Sequence, residues 1–154
     1  MPIDTSGSFL AQLGRNKLIF PTTSAWATAQ VLKVLIGAAR EKRFNFKWFL
    51  KSGGMPSSHT AFSMSLATSM GLYYGFDSGL FAAALGFAVI TMFDAQGVRR
   101  QSGKQAETLN KILEDIYSHR GIQEERLKAF LGHTPIEVFA GGALGIAVAL
   151  FLYK

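Results

Sequence analysis

The sequence predicts an all-α protein, an integral membrane bundle of about four helical spans with an amphipathic helical insert between the third and fourth. Three observations carry that expectation. Residues 18–39, 60–76, 78–93 and 136–153 form apolar stretches that approach the roughly 20 residues a helix needs to cross a bilayer. Small residues recur at every fourth position within two of these stretches, a pattern that lets helices approach closely in lipid. Basic residues gather in two of the connections rather than spreading evenly.

The chain has 154 residues, 49% of them apolar, and a mean hydropathy of +0.21. That fits one packed domain over 1–154 and argues against a disordered or fibrous chain. No cysteine is present, so disulfides and thiolate chemistry are excluded while the redox compartment stays unread. A net charge of +6 would suggest nucleic acid in a soluble protein, but no nucleic-acid-binding module is recognisable and the charge is placed as on a membrane protein.

Residues 1–14 contain no Lys or Arg and no apolar run before a cleavage site, so they read as a surface-lying end and not as a cleaved signal peptide. The first span, 18–39, contains Lys33, whose stem can carry the ammonium toward an interface, a cavity or a partner. The second carries the ridge Ser63, Ala67, Gly71 and Gly75, and the fourth the ridge Gly141, Gly145 and Ala149. The third, 78–93, is short for a span. A polar insert, about 97–134, follows. In it Ala106, Leu109, Ile112, Leu113, Ile116 and Tyr117 recur at helical spacing, Gly121 is a stop signal, and a second short helix is expected through Leu127, Phe130 and Leu131. The competing architecture is a soluble all-α domain with the same stretches as core helices, for which these runs are long.

Arg40, Lys42, Arg43, Lys47 and Lys51 lie in the first connection, and Arg99, Arg100, Lys104, Lys111, Arg120, Arg126 and Lys128 in the third. With four spans these connections share one side and hold twelve of the sixteen basic residues. The positive-inside tendency makes that side cytoplasmic and puts both termini outside.

The same side receives Gly53-Gly54-Met55-Pro56-Ser57-Ser58-His59, the stretch from Asp94 to Lys104, and Gly132-His133-Thr134-Pro135-Ile136-Glu137. Two histidines beside several cations suit phosphoryl transfer, in which His attacks phosphorus or protonates a leaving oxygen while Arg and Lys neutralise the phosphoryl oxygens. Ser57 or Ser58 caps the second span, and backbone N–H groups just beyond a cap point toward an anion. An ordinary helix start explains that stretch better until His59 is counted. Thr134, Pro135 and Glu137 form a capping box, which competes with a role for Glu137 in accepting the Nδ1 proton of His133; both hold only if one carboxylate serves two donors. Asp94 reads first as an ion-pair partner of Arg99 or Arg100, and His119 as solvated. The three histidines lack the paired spacing of zinc ligands.

These residues resemble the short, divergent branch of the phosphatidic-acid phosphatase type 2 and vanadium-haloperoxidase superfamily, over nearly the whole chain. That superfamily is marked by K-x6-R-P, P-S-G-H and S-R-x5-H-x3-D. Here six residues separate Lys33 from Arg40, Pro56-Ser57-Ser58-His59 occupies the second motif, and His133 with Glu137 echoes the third. Glu41, Ser58, Glu137 and Leu127 replace the motif Pro, Gly, Asp and Arg. The resemblance implies an all-helical membrane phosphatase that needs no metal or other cofactor, with vanadate as a phosphate-mimicking inhibitor. It implies His133 as nucleophile, His59 as acid and Glu137 beside them. The substrate-binding set would be Lys33, Arg40, Ser57, Ser58, Asp94, Arg99, Arg100 and Lys104; Arg99 or Arg100 would replace the Arg lost at Leu127.

The expected substrate is a lipid or prenyl phosphate drawn from the membrane, and a homo-oligomer is compatible with the sequence. The alternative is a non-catalytic membrane protein that binds anionic headgroups or a partner through its basic face.

Overall fold

A computed structural model describes residues 8–42, 54–96, 98–118 and 133–153, and every regular element among them is helical. These are α1 (Phe9–Arg15), α2 (Ile19–Glu41), α3 (Ser58–Tyr74), α4 (Gly79–Gln96), α5 (Val98–Ser118) and α6 (Pro135–Leu152). The second insert helix expected through Leu127, with Gly121 and His119, lies outside the described residues.

Local chemistry sets the ends. Ser8 caps α1 by accepting from the Ala11 N–H, and the Asn16 side chain accepts from the Leu18 N–H to turn the chain into α2. Ser57 caps α3, Ser78 accepts from the Phe81 N–H at the start of α4, and Thr134 caps α6.

Helix α3 is the centre of the bundle, touching α2, α4 and α6, and α6 most extensively. Its two ridges divide the work. Ala67 packs with Ala84 and Ala88 of α4, filled in by Met64 and Met70. On another face Ser57, Ala61 and Ser65 meet Gly141 and Gly145 of α6 so closely that a Cβ on either glycine would strike backbone atoms of α3. The α6 ridge read from the sequence is therefore a real helix contact, and the α3 ridge through Ala67 and Gly71 faces α4.

The bundle is small and polar inside, large and apolar outside. Buried positions are dominated by Ala, Ser, Thr and Gly, with Val138 the largest side chain among the fully buried ones. Ile90, Phe93 and Phe151 are 70%, 71% and 85% exposed. Globular proteins in water bury their large aliphatic and aromatic residues first, so this is the reverse of their usual arrangement. Threonines satisfy themselves within their own helices: Thr22, Thr23, Thr28, Thr68 and Thr91 each donate to the carbonyl four residues back at 2.6–2.8 Å.

Among the described residues two helices, α4 and α6, each of 18 residues, are long and apolar enough to cross a membrane, fewer than the four spans expected. The stretch that looked short in sequence extends to Gln96 and qualifies. Helix α3 has 17 residues, and α2, though 23 residues long, carries Gln30, Lys33 and a hydroxyl-rich first half. Most of their polar groups, among them Thr22, Gln30 and Lys33 of α2 and Ser63, Ser65 and Ser69 of α3, turn inward, which lowers the mean hydropathy of the helices that line the interior.

The insert helix α5 forms as expected and touches α4. Leu109 and Ile112 lie half exposed on its apolar face, and Lys111 pairs with Glu107 at 3.4 Å on its solvent side.

Candidate active site

Three helix ends meet at one end of the bundle. Glu137, in the first turn of α6, offers its main-chain carbonyl to the N–H of Ser57 at 2.9 Å, and this bond joins the start of α3 to the start of α6. The absence of a side chain at Gly141 permits the approach, since a Cβ there would meet the Ser57 carbonyl. The His133 N–H donates to the Ala95 carbonyl at 3.1 Å, tying the same corner to the last turn of α4.

These constraints bring His59 and His133 together, with ring centroids 6.4 Å apart and planes inclined at 62°. His133 is buried and His59 is exposed. The Nδ1 of His133 lies 3.2 Å from Oε2 of Glu137. That oxygen also accepts from the Thr134 N–H at 3.0 Å, and Thr134 Oγ1 accepts from the Glu137 N–H at 3.4 Å. One carboxylate oxygen thus serves both the capping box and the histidine. A carboxylate at Nδ1 favours the tautomer with the proton there, which puts the imidazole lone pair on Nε2.

Ser57 is fully buried, and its Oγ accepts from the Thr60 N–H at 3.4 Å and from Thr60 Oγ1 at 3.1 Å. Ser58, also buried, opens α3 beside His59. Lys33 enters from α2, buried at 6% exposure. Gly54 lies over its stem: with φ at +100° and Lys33 Cγ 3.3 Å from where a Cβ would stand, this position favours glycine both in backbone and in space.

Of the expected site residues, His59, His133, Glu137, Ser57, Ser58 and Lys33 gather at this end. Asp94 sits exposed in the last turn of α4, next to the residue that holds His133. Arg40 belongs to α2, and Arg99, Arg100 and Lys104 to α5, but their side chains lie outside the described residues, as do Gly53, Leu127 and Gly132.

Sequence reasoning missed three contributors: Thr60, which fixes the Ser57 hydroxyl; Ala95, which supplies only a carbonyl; and an apolar cavity of about 330 Å³ beside His59. The cavity runs between α2, α3 and α4, with Trp26, Phe62 and Phe87 on its walls and Ser63 and Thr91 among its few polar contacts. The helical spacing of His59, Phe62 and Ser63 hinted at a shared face, but nothing in the sequence paired it with Trp26 or Phe87.

The family model described as Divergent PAP2 family matches residues 14–148. A Bacillus subtilis (strain 168) protein, named uncharacterized membrane protein YuiD, is 43% identical over 149 residues, an alignment covering 86% of this chain and 93% of that protein. No solved structure matches the chain. The matched segment takes in Lys33, the Ser57–His59 turn, His133 and Glu137, and on that extent of similarity the chain belongs to the Divergent PAP2 family.

Proposed function

We propose that this chain is a multi-pass membrane phosphatase that hydrolyses a lipid or prenyl phosphate. The observation that carries the reading is the apposition of His59 and His133, with Glu137 at the Nδ1 of His133. Helices α2, α3, α4 and α6 cross the bilayer, and the inside-out distribution of residue size supports that placement. The histidine end faces the cytoplasm, on the strength of the basic connections.

In the reaction, Nε2 of His133 attacks phosphorus and a P–N bond forms as the P–O bond to the lipid alkoxide breaks. His59 gives its proton to the departing oxygen. Glu137 stabilises the charge that develops on the His133 ring. His59, now neutral, takes a proton from water, whose oxygen attacks phosphorus, breaks the P–N bond and releases inorganic phosphate. Lys33, Arg40 and Arg99 or Arg100 offset the charge on the phosphoryl oxygens. The apolar cavity beside His59 suits the first carbons of a hydrocarbon chain while the phosphate lies at the polar end.

Purified protein is expected to release phosphate from a panel of lipid phosphates, with release blocked by vanadate and absent in His133→Ala. Absence of phosphate release across the panel would favour the alternative of a headgroup-binding protein, whereas full activity in His133→Ala would remove that histidine from the chemistry. For orientation, single cysteines replace Ser52 and Ser78. On intact cells a membrane-impermeant thiol reagent should label position 78 and spare position 52; the reverse pattern would invert the topology.

A further inference from the structure

At the other end of the bundle the α3–α6 contact changes character. Gly141 and Gly145 hold the two backbones together, but one turn further α6 carries Ala149, and there a cavity of about 300 Å³ opens above Ser69. His59 and Tyr73 mark the two ends of α3, fourteen residues apart, so the cavity lies about 21 Å along the helix from the histidines. The end of α1 and the turn into α2 line it and contribute Arg15 and Lys17.

Its chemistry is divided. Ser69 is 5% exposed and lines the cavity, and its Oγ has no hydrogen-bond partner among the described residues. The Lys17 ammonium is held 5.3 Å from the centroid of the Tyr73 ring, which keeps the charge at the rim. Neither Lys17 nor Arg15 has an acidic partner among the described residues. Phe20 and Leu152 line the same space, with Phe20 64% exposed toward the outside of the bundle. Tyr73, Tyr74 and Tyr153 ring this end, where amphipathic side chains sit at a headgroup layer.

We infer that this cavity binds an anionic phospholipid of the leaflet opposite the histidine pair, its phosphate between Arg15 and Lys17 and its chain along Phe20 and Leu152. The Ser69 hydroxyl is a donor for the ester or headgroup oxygens. A soluble anion would use the cations and leave the apolar wall without a function, which is why a lipid is the occupant that matches both halves. The inference rests on the chain being embedded in a bilayer and is independent of catalysis.

Native mass spectrometry of the full chain, released from mixed vesicles of phosphatidylglycerol and phosphatidylcholine, tests it. Phosphatidylglycerol is expected to be retained preferentially, and the R15Q/K17Q variant to lose roughly tenfold of that preference, since each basic side chain near an anionic surface adds to the attraction. R15K/K17R should keep it, as should His133→Ala at the far end. Should R15Q/K17Q lose its helical circular dichroism, K17Q alone is read instead, with a drop of roughly threefold. Equal retention of the two lipids, an unchanged preference in R15Q/K17Q, or loss of preference in His133→Ala would each overturn the assignment. So would displacement of the lipid by millimolar inorganic phosphate, which would make the site one for a free anion.

Discussion

Helix α3 meets α6 and α4 through ridges of small residues that look alike in sequence, yet the two contacts differ in kind. Toward α6 the partner residues are glycines, backbone lies on backbone, and the Ser57 N–H reaches the Glu137 carbonyl. Toward α4 alanine methyls meet alanine methyls, with flexible methionines filling the remaining space. The first contact fixes the distance between the α3 and α6 ends that carry His59 and His133; the second holds a wall in place and can yield. Position in a small-residue ridge therefore does not say whether a residue sets the geometry of the site.

The largest expected effect falls on the polar end of the α6 contact. His133→Ala should abolish turnover of alkyl and activated aryl phosphates alike, because no covalent path remains. His59→Ala should slow phosphoenzyme formation from alkyl phosphates by about 10²–10⁴-fold and from aryl phosphates far less, since a phenolate leaves without a proton. Acid-labile phosphohistidine should accumulate in the His59 variant. Recovery on the aryl substrate by the His133 variant alone would reverse the two roles, and full activity in both would remove the histidines from the chemistry.

Next come the two duties of Glu137. Glu137→Gln keeps a side chain able to complete the capping box but removes the carboxylate from His133, so turnover should fall by about 10²-fold or more with little change in melting temperature. Thr134→Ala should do the opposite, costing about 1 kcal/mol of stability while leaving most of the turnover. Equal losses of activity in the two would mean that the cap, and not the charge, is what the site requires.

The comparison itself is tested by Gly141→Val against Ala88→Gly. The valine must push Ser57 backbone aside, an overpacking cost at the upper end of about 1–3 kcal/mol, and turnover should drop with it. Removing the Ala88 methyl should cost about 1 kcal/mol and leave turnover unchanged. If thermal melts and phosphate release decline in step for both, the two faces of α3 are equivalent after all. The smallest effect expected is a loss of a few-fold in Arg99→Lys or Arg100→Lys, where charge stays and the bidentate fork is lost. Unchanged turnover and vanadate sensitivity in both would end the idea that either replaces the Arg absent at Leu127.

What the sequence determined by itself was local. Helical class, a cap at Ser57 or Ser58, the Thr134 capping box and the amphipathic α5 are encoded within a turn or two, by side-chain spacing and by groups that reach their own backbone. The resemblance to a phosphatase superfamily was likewise legible in Lys33, Arg40, His59 and His133. Tertiary structure decided which ridge faces which helix, because identical four-residue spacing on α3 serves α4 and α6 and only the choice of glycine or alanine on the partner separates them. It also decided that one oxygen of Glu137 serves cap and histidine together, and that Gly54 lies over Lys33. The count of helices apolar enough to span a membrane depended on the same partition: α2 and α3 turn their polar groups toward one another and toward α6, and a running hydropathy, blind to direction, averages that inward face with the outward one.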